Sequence, residues 1–240
     1  MIGFLLRQLS QVPADDGWLT AAERRWFNDR RSAKRIADWR LGRWTAKAAI
    51  GAFLERQARP RPVAIEILAA EDGAPGVFTN GRPLPVSLSL SHSHGRAVSV
   101  VAETGFALGC DIERIEPRSS AFVTSYFTRS ECATLAAADS SGRDLLANLL
   151  WSAKESALKA LRHGLRADTR AIEVVADRRS RELWGRLEVS SRSGGAVLAG
   201  HWTRLACVSR QCPDDFVLTV ISRPTAGEIV DLDLPSHRLS

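Results

Sequence analysis

The strongest constraint on the fold is that two local patterns recur in the same order, just over a hundred residues apart. Thr20-Ala21-Ala22-Glu23 and Thr128-Arg129-Ser130-Glu131 are both T-x-x-E sequences. A threonine followed three positions later by glutamate satisfies the free amides of a first helical turn, so each opens a helix. Some twenty residues later, Trp44-Thr45-Ala46-Lys47-Ala48-Ala49-Ile50 is matched by Trp151-Ser152-Ala153-Lys154-Glu155-Ser156-Ala157. Thr128 follows Thr20 by 108 residues, and Trp151 follows Trp44 by 107. One such match is what any two amphipathic helices can show. Two in register predict two similar halves.

The periodicity agrees. Helical patterns cover 20–30, 32–57, 128–138 and 143–162, and strand-like runs fall at 63–68, 84–90, 96–102, 107–112, 172–175, 183–189, 196–203 and 216–222. Helices followed by antiparallel-looking strands in each half predict an α+β fold built as a pseudo-twofold repeat. The halves are expected at 1–104 and 105–223, with the boundary at Glu103-Thr104-Gly105. Residues 224–240 are weakly periodic and read as a tail that wraps the surface or frays. Met1 to Leu6 lacks a basic flank and a cleavage site, so it reads as a first strand and not a signal peptide.

The 240 residues are 45% hydrophobic and 25% charged, and no apolar run approaches a membrane span. That composition predicts a soluble protein with a substantial core. Cys110, Cys132, Cys207 and Cys212 show no C-x-x-C spacing. A reduced, cytoplasmic protein without a zinc site is expected. The net charge is +6, with nine Lys or Arg between Arg24 and Lys47 against only Asp29 and Asp38. Such an excess attracts phosphates or an acidic protein partner, and nucleic acid is the competing reading.

Asp111 and Glu113 stand two apart in a strand-like run, so both carboxylates share one face. A divalent cation would relieve their repulsion, and oxygen ligands suit Mg2+. A solvated pair at a strand end is the plainer alternative. Glu155 and Lys159 form an i, i+4 ridge with Trp151, while Lys154 lies about 100° away around the helix. An ordinary surface ion pair would look the same. The combination is more telling: a third carboxylate completes a metal site, and the two lysines can neutralise a pyrophosphate.

Three weaker features point the same way. Ser87 to Ser91 alternate with Leu88 and Leu90 as a half-buried strand ending at His92, where a hydroxyl and an imidazole can meet phosphate oxygens. Asp72-Gly73-Ala74-Pro75-Gly76 is a turn whose backbone can approach a ligand closely. Arg40, Arg43 and Lys47 fall within a narrow helical arc beside the apolar stripe of Trp39, Ala46, Ile50 and Phe53, which is either a solvated basic face or a phosphate dock.

With these residues in view, the chain resembles the large, two-halved 4′-phosphopantetheinyl transferases, the surfactin-synthetase-activating type. The hallmark strand G-[IV]-D-x-E stands as Gly109–Glu113, and the helix [FW]-[ST]-x-K-E-[AS]-x-x-K as Trp151–Lys159. Supporting features are Gly73-Ala74-Pro75, Ser89–Ser93, and Gly42-Arg43 with Lys47. The resemblance implies transfer of the phosphopantetheine arm of coenzyme A to a serine of an apo carrier protein, with the cofactor in a cleft between two α+β halves. By motif match, Asp111, Glu113 and Glu155 would hold Mg2+, and Glu155 would act as general base. Lys159, supported by Lys154, would stabilise charge on the leaving 3′,5′-ADP. Arg43, Lys47, Ser91 and His92 would grip coenzyme A phosphates, and Gly73 and Pro75 would lie against the adenine. Two departures are Ala74, where the family often has a basic residue, and Cys110, where it has an aliphatic one.

The attacking serine belongs to the partner, so the chain needs no nucleophile of its own. Carrier proteins are generally acidic, which matches the basic surface. Two halves in one chain replace a subunit interface, so a monomer is expected. A nucleic-acid-binding module would account for the basic helix but leaves Asp111, Glu113 and Glu155 unexplained. A non-catalytic, carrier-binding paralogue would be expected to have lost some of these residues.

Overall fold

The computed structural model describes residues 1–25, 32–163, 167–177, 183–191, 198–205 and 215–234. The chain divides into two compact units, Met1–Phe106 with Ala226–Ser240, and Ala107–Thr225. The first contains β1 (Ile2–Gln8), α1 (Ala21–Arg24), α2 (Ala33–Arg56), β2 (Glu66–Ala69), β3 (Pro75–Thr79), β4 (Arg82–Pro83), β5 (Val86–Ser93) and β6 (Arg96–Glu103). The second contains β7 (Ala107–Arg114), α3 (Ser120–Tyr126), α4 (Arg129–Ala137), α5 (Ser140–Ala160), β8 (Ile172–Ala176), β9 (Gly185–Ser191), β10 (Leu198–Leu205) and β11 (Phe216–Arg223). A last strand, β12 (Ile229–Asp231), belongs again to the first unit. The class is α+β, as the sequence predicts. Among the described residues, no helix is long and apolar enough to cross a membrane.

In the first unit, β12, β1, β6 and β5 form one sheet and β2, β3 and β4 another. β6 is buried from Arg96 to Ala102, so it reads as a nearly continuous apolar run. α2 closes this core with Ala46, Ala49, Ile50, Phe53 and Leu54 against Leu5, Leu88 and Val101. The segment after residue 224, read as a tail that wraps the surface or frays, adds a strand to this sheet. Ile229 pairs with Ile2 in a parallel ladder, Asp233 accepts two hydrogen bonds from Arg7 (2.5 and 2.8 Å), and Arg56 donates to the Leu234 carbonyl at 2.5 Å. The open edge of β1 supplies the backbone partners that a frayed tail would lack. β3 and β4 are the other difference, because a glycine- and proline-rich stretch carries little strand periodicity.

In the second unit the sheet runs β7-β11-β10-β9-β8, antiparallel throughout. α5 lies over it, packing Leu149, Leu150, Ala153, Ala157 and Leu158 with Val174, Leu187, Val189, Val217 and Ile221. It starts at Ser140, earlier than the expected 143, because Asp139 caps the Gly142 amide at 2.6 Å. The sequence shows α3 only through its Ser119 cap, whose hydroxyl accepts from Phe122 N at 3.1 Å. Residues 26–30 of the first expected helix, residues 196–197 of an expected strand, Cys207, Cys212 and residues 235–240 of the tail lie outside the described residues.

Each unit, taken by itself, contains one and the same buried constellation. Thr20 and Glu23 form a reciprocal capping box, and Glu23 also accepts from Ile67 N (3.1 Å) and from Lys47 Nζ (2.6 Å). Thr128 and Glu131 do likewise, and Glu131 accepts from Val174 N (2.8 Å) and pairs with Lys154 Nζ (2.9 Å). In both cases a glutamate that starts a helix also bonds a strand amide and the lysine of the next long helix.

Candidate active site

The site begins at a glycine. A Cβ on Gly109 would lie 1.8 Å from the Ser156 carbonyl oxygen and 2.7 Å from the Ala160 amide nitrogen. Only glycine therefore lets β7 lie this close to α5. Strand alternation then puts Gly109, Asp111 and Glu113 on one face, towards the helix. On α5, Trp151, Glu155 and Lys159 succeed one another at four-residue intervals along one ridge. A hydroxyl cluster fixes the register. Thr219, opposite Asp111 in the ladder, bonds Ser152 Oγ at 2.8 Å and Ser156 Oγ at 2.7 Å, all in the interior.

Lys159 Nζ donates to Asp111 Oδ1 at 2.9 Å and to the Cys110 carbonyl at 3.0 Å. Burial alone would lower this ammonium, but Asp111 and the nearby negative groups outweigh it and hold the pKa raised. Both oxygens of Glu113 accept hydrogen bonds, Oε1 from Trp151 Nε1 at 3.2 Å and Oε2 from Arg118 at 3.1 Å. Trp151 is itself fixed edge-on by Phe122 and Tyr126, whose ring centroids lie 5.0 and 4.9 Å away. Glu155 accepts no hydrogen bond from any described residue. Burial, reinforced by Asp111, lifts the Glu113 carboxyl to about 7, and burial together with both other carboxylates lifts Glu155 to about 7. The three acids named from the sequence are thus close enough to act on one another.

The donor set is all carboxylate oxygen, which fits a hard divalent cation such as Mg2+. The elevation of Glu113 and Glu155 is a cost that a cation would remove. In the arrangement seen, however, Asp111 and Glu113 each meet a protein cation. Among the described residues, no three His, Cys, Asp or Glu side chains are gathered into a metal-binding group. The donor chemistry suits such a cation, and in this structure Asp111 pairs with Lys159 and Glu113 with Arg118. Arg118, Thr219 and the role of Trp151 escaped the sequence reading. Arg118 lies in an aperiodic stretch, and Thr219 looks like any strand residue.

Two of the lysines expected beside phosphates lie in the interior of their units. Lys154, expected beside a phosphate, is fully buried. It donates to the carbonyls of Thr169 (2.8 Å) and Ile172 (2.6 Å) besides pairing with Glu131. All three ammonium protons have protein acceptors. Lys47 is likewise buried, bonded to Glu23 and to the Trp18 carbonyl at 2.9 Å. Burial of an unpaired ammonium would be costly, and the capping glutamates compensate it.

Within the first unit, Arg40 is tied to Asp16 and to backbone carbonyls of the 13–15 loop. Arg43 stacks its guanidinium 5.1 Å from the Trp39 ring centroid, and its Nε is buried without a partner among the described residues. Desolvation lowers its pKa, opposed by Glu23. Ser91 and His92 are successive in β5, so they face opposite sides, Ser91 buried and His92 exposed. The structure does not bring these two together. Gly73 has φ +86° and closes the β2–β3 turn, its amide bonding the Ala70 carbonyl at 2.9 Å, while Pro75 opens β3 opposite Ala69. A left-handed φ explains the glycine, and a strand's first position tolerates the proline.

Residues 107–204 match the model of the 4′-phosphopantetheinyl transferase superfamily. The match spans β7 through β10 and so takes in Asp111, Glu113, Lys154, Glu155 and Lys159. It supports a phosphopantetheinyl transferase activity in general terms. No curated protein matches the chain.

Proposed function

We propose that the protein transfers 4′-phosphopantetheine from coenzyme A to a serine of an acidic apo carrier protein, acyl or peptidyl, with Mg2+ and with release of 3′,5′-ADP. The observation that carries this reading is the contact of Lys159 with Asp111 beside Glu155, inside the segment that matches the superfamily.

The carrier serine Oγ forms a bond to the phosphorus bearing the pantetheine arm, and the pyrophosphate P–O bond to 3′,5′-ADP breaks. Glu155 takes the serine proton, directly or through water. Its carboxylate meets no hydrogen-bond donor among the described residues and is open to that proton. Lys159, kept protonated by Asp111, offsets charge on the α-phosphate and the departing 3′,5′-ADP. Asp111, Glu113 and Glu155 would hold Mg2+, which when bound neutralises the pyrophosphate. In the first unit Arg43, Ser91 and His92 are assigned to coenzyme A phosphates, with Gly73 and Pro75 against the adenine. The Arg43 Nε, without a partner among the described residues, supports the first of these. Lys47 and Lys154 are assigned to the folding of their own units.

The matched Glu23–Lys47 and Glu131–Lys154 constellations further support a pseudo-twofold repeat; a monomer working in the cytoplasm is proposed with it. The test is to mix the protein with coenzyme A, Mg2+ and an apo carrier, then weigh the carrier. A gain of one phosphopantetheine is expected; no gain across fatty-acid, polyketide and peptide carriers would overturn the proposal.

A further inference from the structure

Arg118 belongs to none of the matched motifs, yet it touches the acidic site from outside it. Its guanidinium is held on several sides. Nε donates to Asn148 Oδ1 at 2.8 Å, NH2 to Glu113 Oε2 at 3.1 Å and NH1 to Glu116 Oε1 at 3.5 Å, and the Phe122 ring centroid lies 4.9 Å from its central carbon. Asn148 is fully buried and is itself pinned through Nδ2 to the carbonyls of Glu116 (2.7 Å) and Asp144 (2.8 Å). The position of Arg118 is therefore dictated by α5 and by the segment after β7. Glu113, in contrast, hangs at the end of β7 on two hydrogen bonds from side chains.

We infer that Arg118 is a resident counter-cation of the acidic site that competes with a divalent metal ion for Glu113. The inference rests on the carboxylate metal site proposed above. A cation bound by Asp111, Glu113 and Glu155 would have to share the charge of the Glu113 carboxylate, whose Oε2 now accepts from Arg118, with the guanidinium. The guanidinium cannot follow a turning carboxylate, because Asn148 and Phe122 hold it, and its NH1 already meets Glu116, an anion it shares with Arg114. The exchange thus moves one carboxylate and leaves the arginine in place. The side chains of Arg118 and Glu113 are only 17% and 21% exposed, so their attraction is poorly screened and opposes metal binding more than a surface pair would. The fixed positive charge repels the metal as well, so both effects act in one direction.

The experiment is calorimetric titration of Mn2+ into the full chain without coenzyme A or carrier. Arg118→Gln is expected to bind Mn2+ about five- to tenfold more tightly than the wild type. In a Glu113→Gln background the gain from the same substitution is expected to shrink to about two- to threefold, the part due to charge repulsion alone, since the contested carboxylate is gone. Should Arg118→Gln fail to fold, Arg118→Lys carries the test. A single ammonium cannot hold Asn148 and Glu113 together, and about threefold tighter binding is expected. Unchanged or weaker Mn2+ binding in the folded Arg118 variants would overturn the inference and make Arg118 a support for Glu113. If wild-type binding is lost in Asp111→Asn but indifferent to Arg118, this inference fails alone. If neither the wild type nor Arg118→Gln binds Mn2+, the metal-site reading and the inference fail together.

Discussion

Lys154 sits with its ammonium 2.9 Å from Glu131 Oε2, and both side chains are shut off from water. Lys47 repeats the contact with Glu23 at 2.6 Å. A role in folding predicts that Lys154→Met leaves a buried carboxylate uncompensated and costs about 3–5 kcal/mol. Lys47→Met is expected to behave alike in its own unit. Denaturant titration checks both. Loss of coenzyme A affinity with stability intact would return these lysines to the ligand.

Gly109→Ala should be among the most damaging single-methyl additions in the second unit. Its Cβ would meet backbone atoms of α5, which cannot move like the end of a side chain. A loss of about 3 kcal/mol or more is expected, read as a fall in calorimetric Tm. A Gly73→Ala control, in open space but at φ +86°, should cost about 1 kcal/mol through backbone strain alone.

Asp111→Asn and Glu155→Ala are expected to lower carrier modification by at least about a hundredfold while preserving far-UV circular dichroism. Asp111→Asn also removes the anion that Lys159 contacts, so its effect should exceed that of Glu113→Gln. Near wild-type turnover in either variant would remove that residue from the reaction.

Glu155 makes stability depend on pH in a definite sense. Its folded carboxyl, at about 7, lies above its ordinary 4.5, so the folded chain holds the proton more tightly. Its favourable contribution is complete below about 4.5 and is lost as pH rises through 7. Without divalent cations, Glu155→Gln should therefore be more stable than wild type at pH 8 by about 1–2 kcal/mol, after allowing for partial solvent screening. The two should converge at pH 5. Denaturation midpoints at the two pH values check this, and a difference of opposite sign would show that Glu155 is better solvated than its surroundings indicate.

The parts of the site that were legible in the sequence are those fixed by local periodicity. Alternation along β7 gave Asp111 and Glu113 a common face, and the helical repeat aligned Trp151, Glu155 and Lys159. The same alternation, applied further, separates Ser91 from His92. Direction on a helix is harder to read than ridge membership. Lys154 stands about 100° from Glu155, but only the burial of Glu131 reveals that this direction is inward. Arg118 and Thr219 reach the site through long-range contacts, to Asn148 and Glu113 in one case and across the β7–β11 ladder in the other. No window of neighbouring residues carries that information.

The parallel pairing of β12 with β1 sets an order of assembly. A ribosome delivers β1 first and β12 only after the whole of the second unit has been made. The first sheet therefore keeps one edge of β1 open throughout synthesis, while the second unit, contiguous in the chain, can close as soon as β11 emerges. During that interval Ile2, Gly3 and Phe4 present an unpaired apolar edge, the kind of surface that chaperones and neighbouring nascent chains seek. The protein thus completes its beginning last.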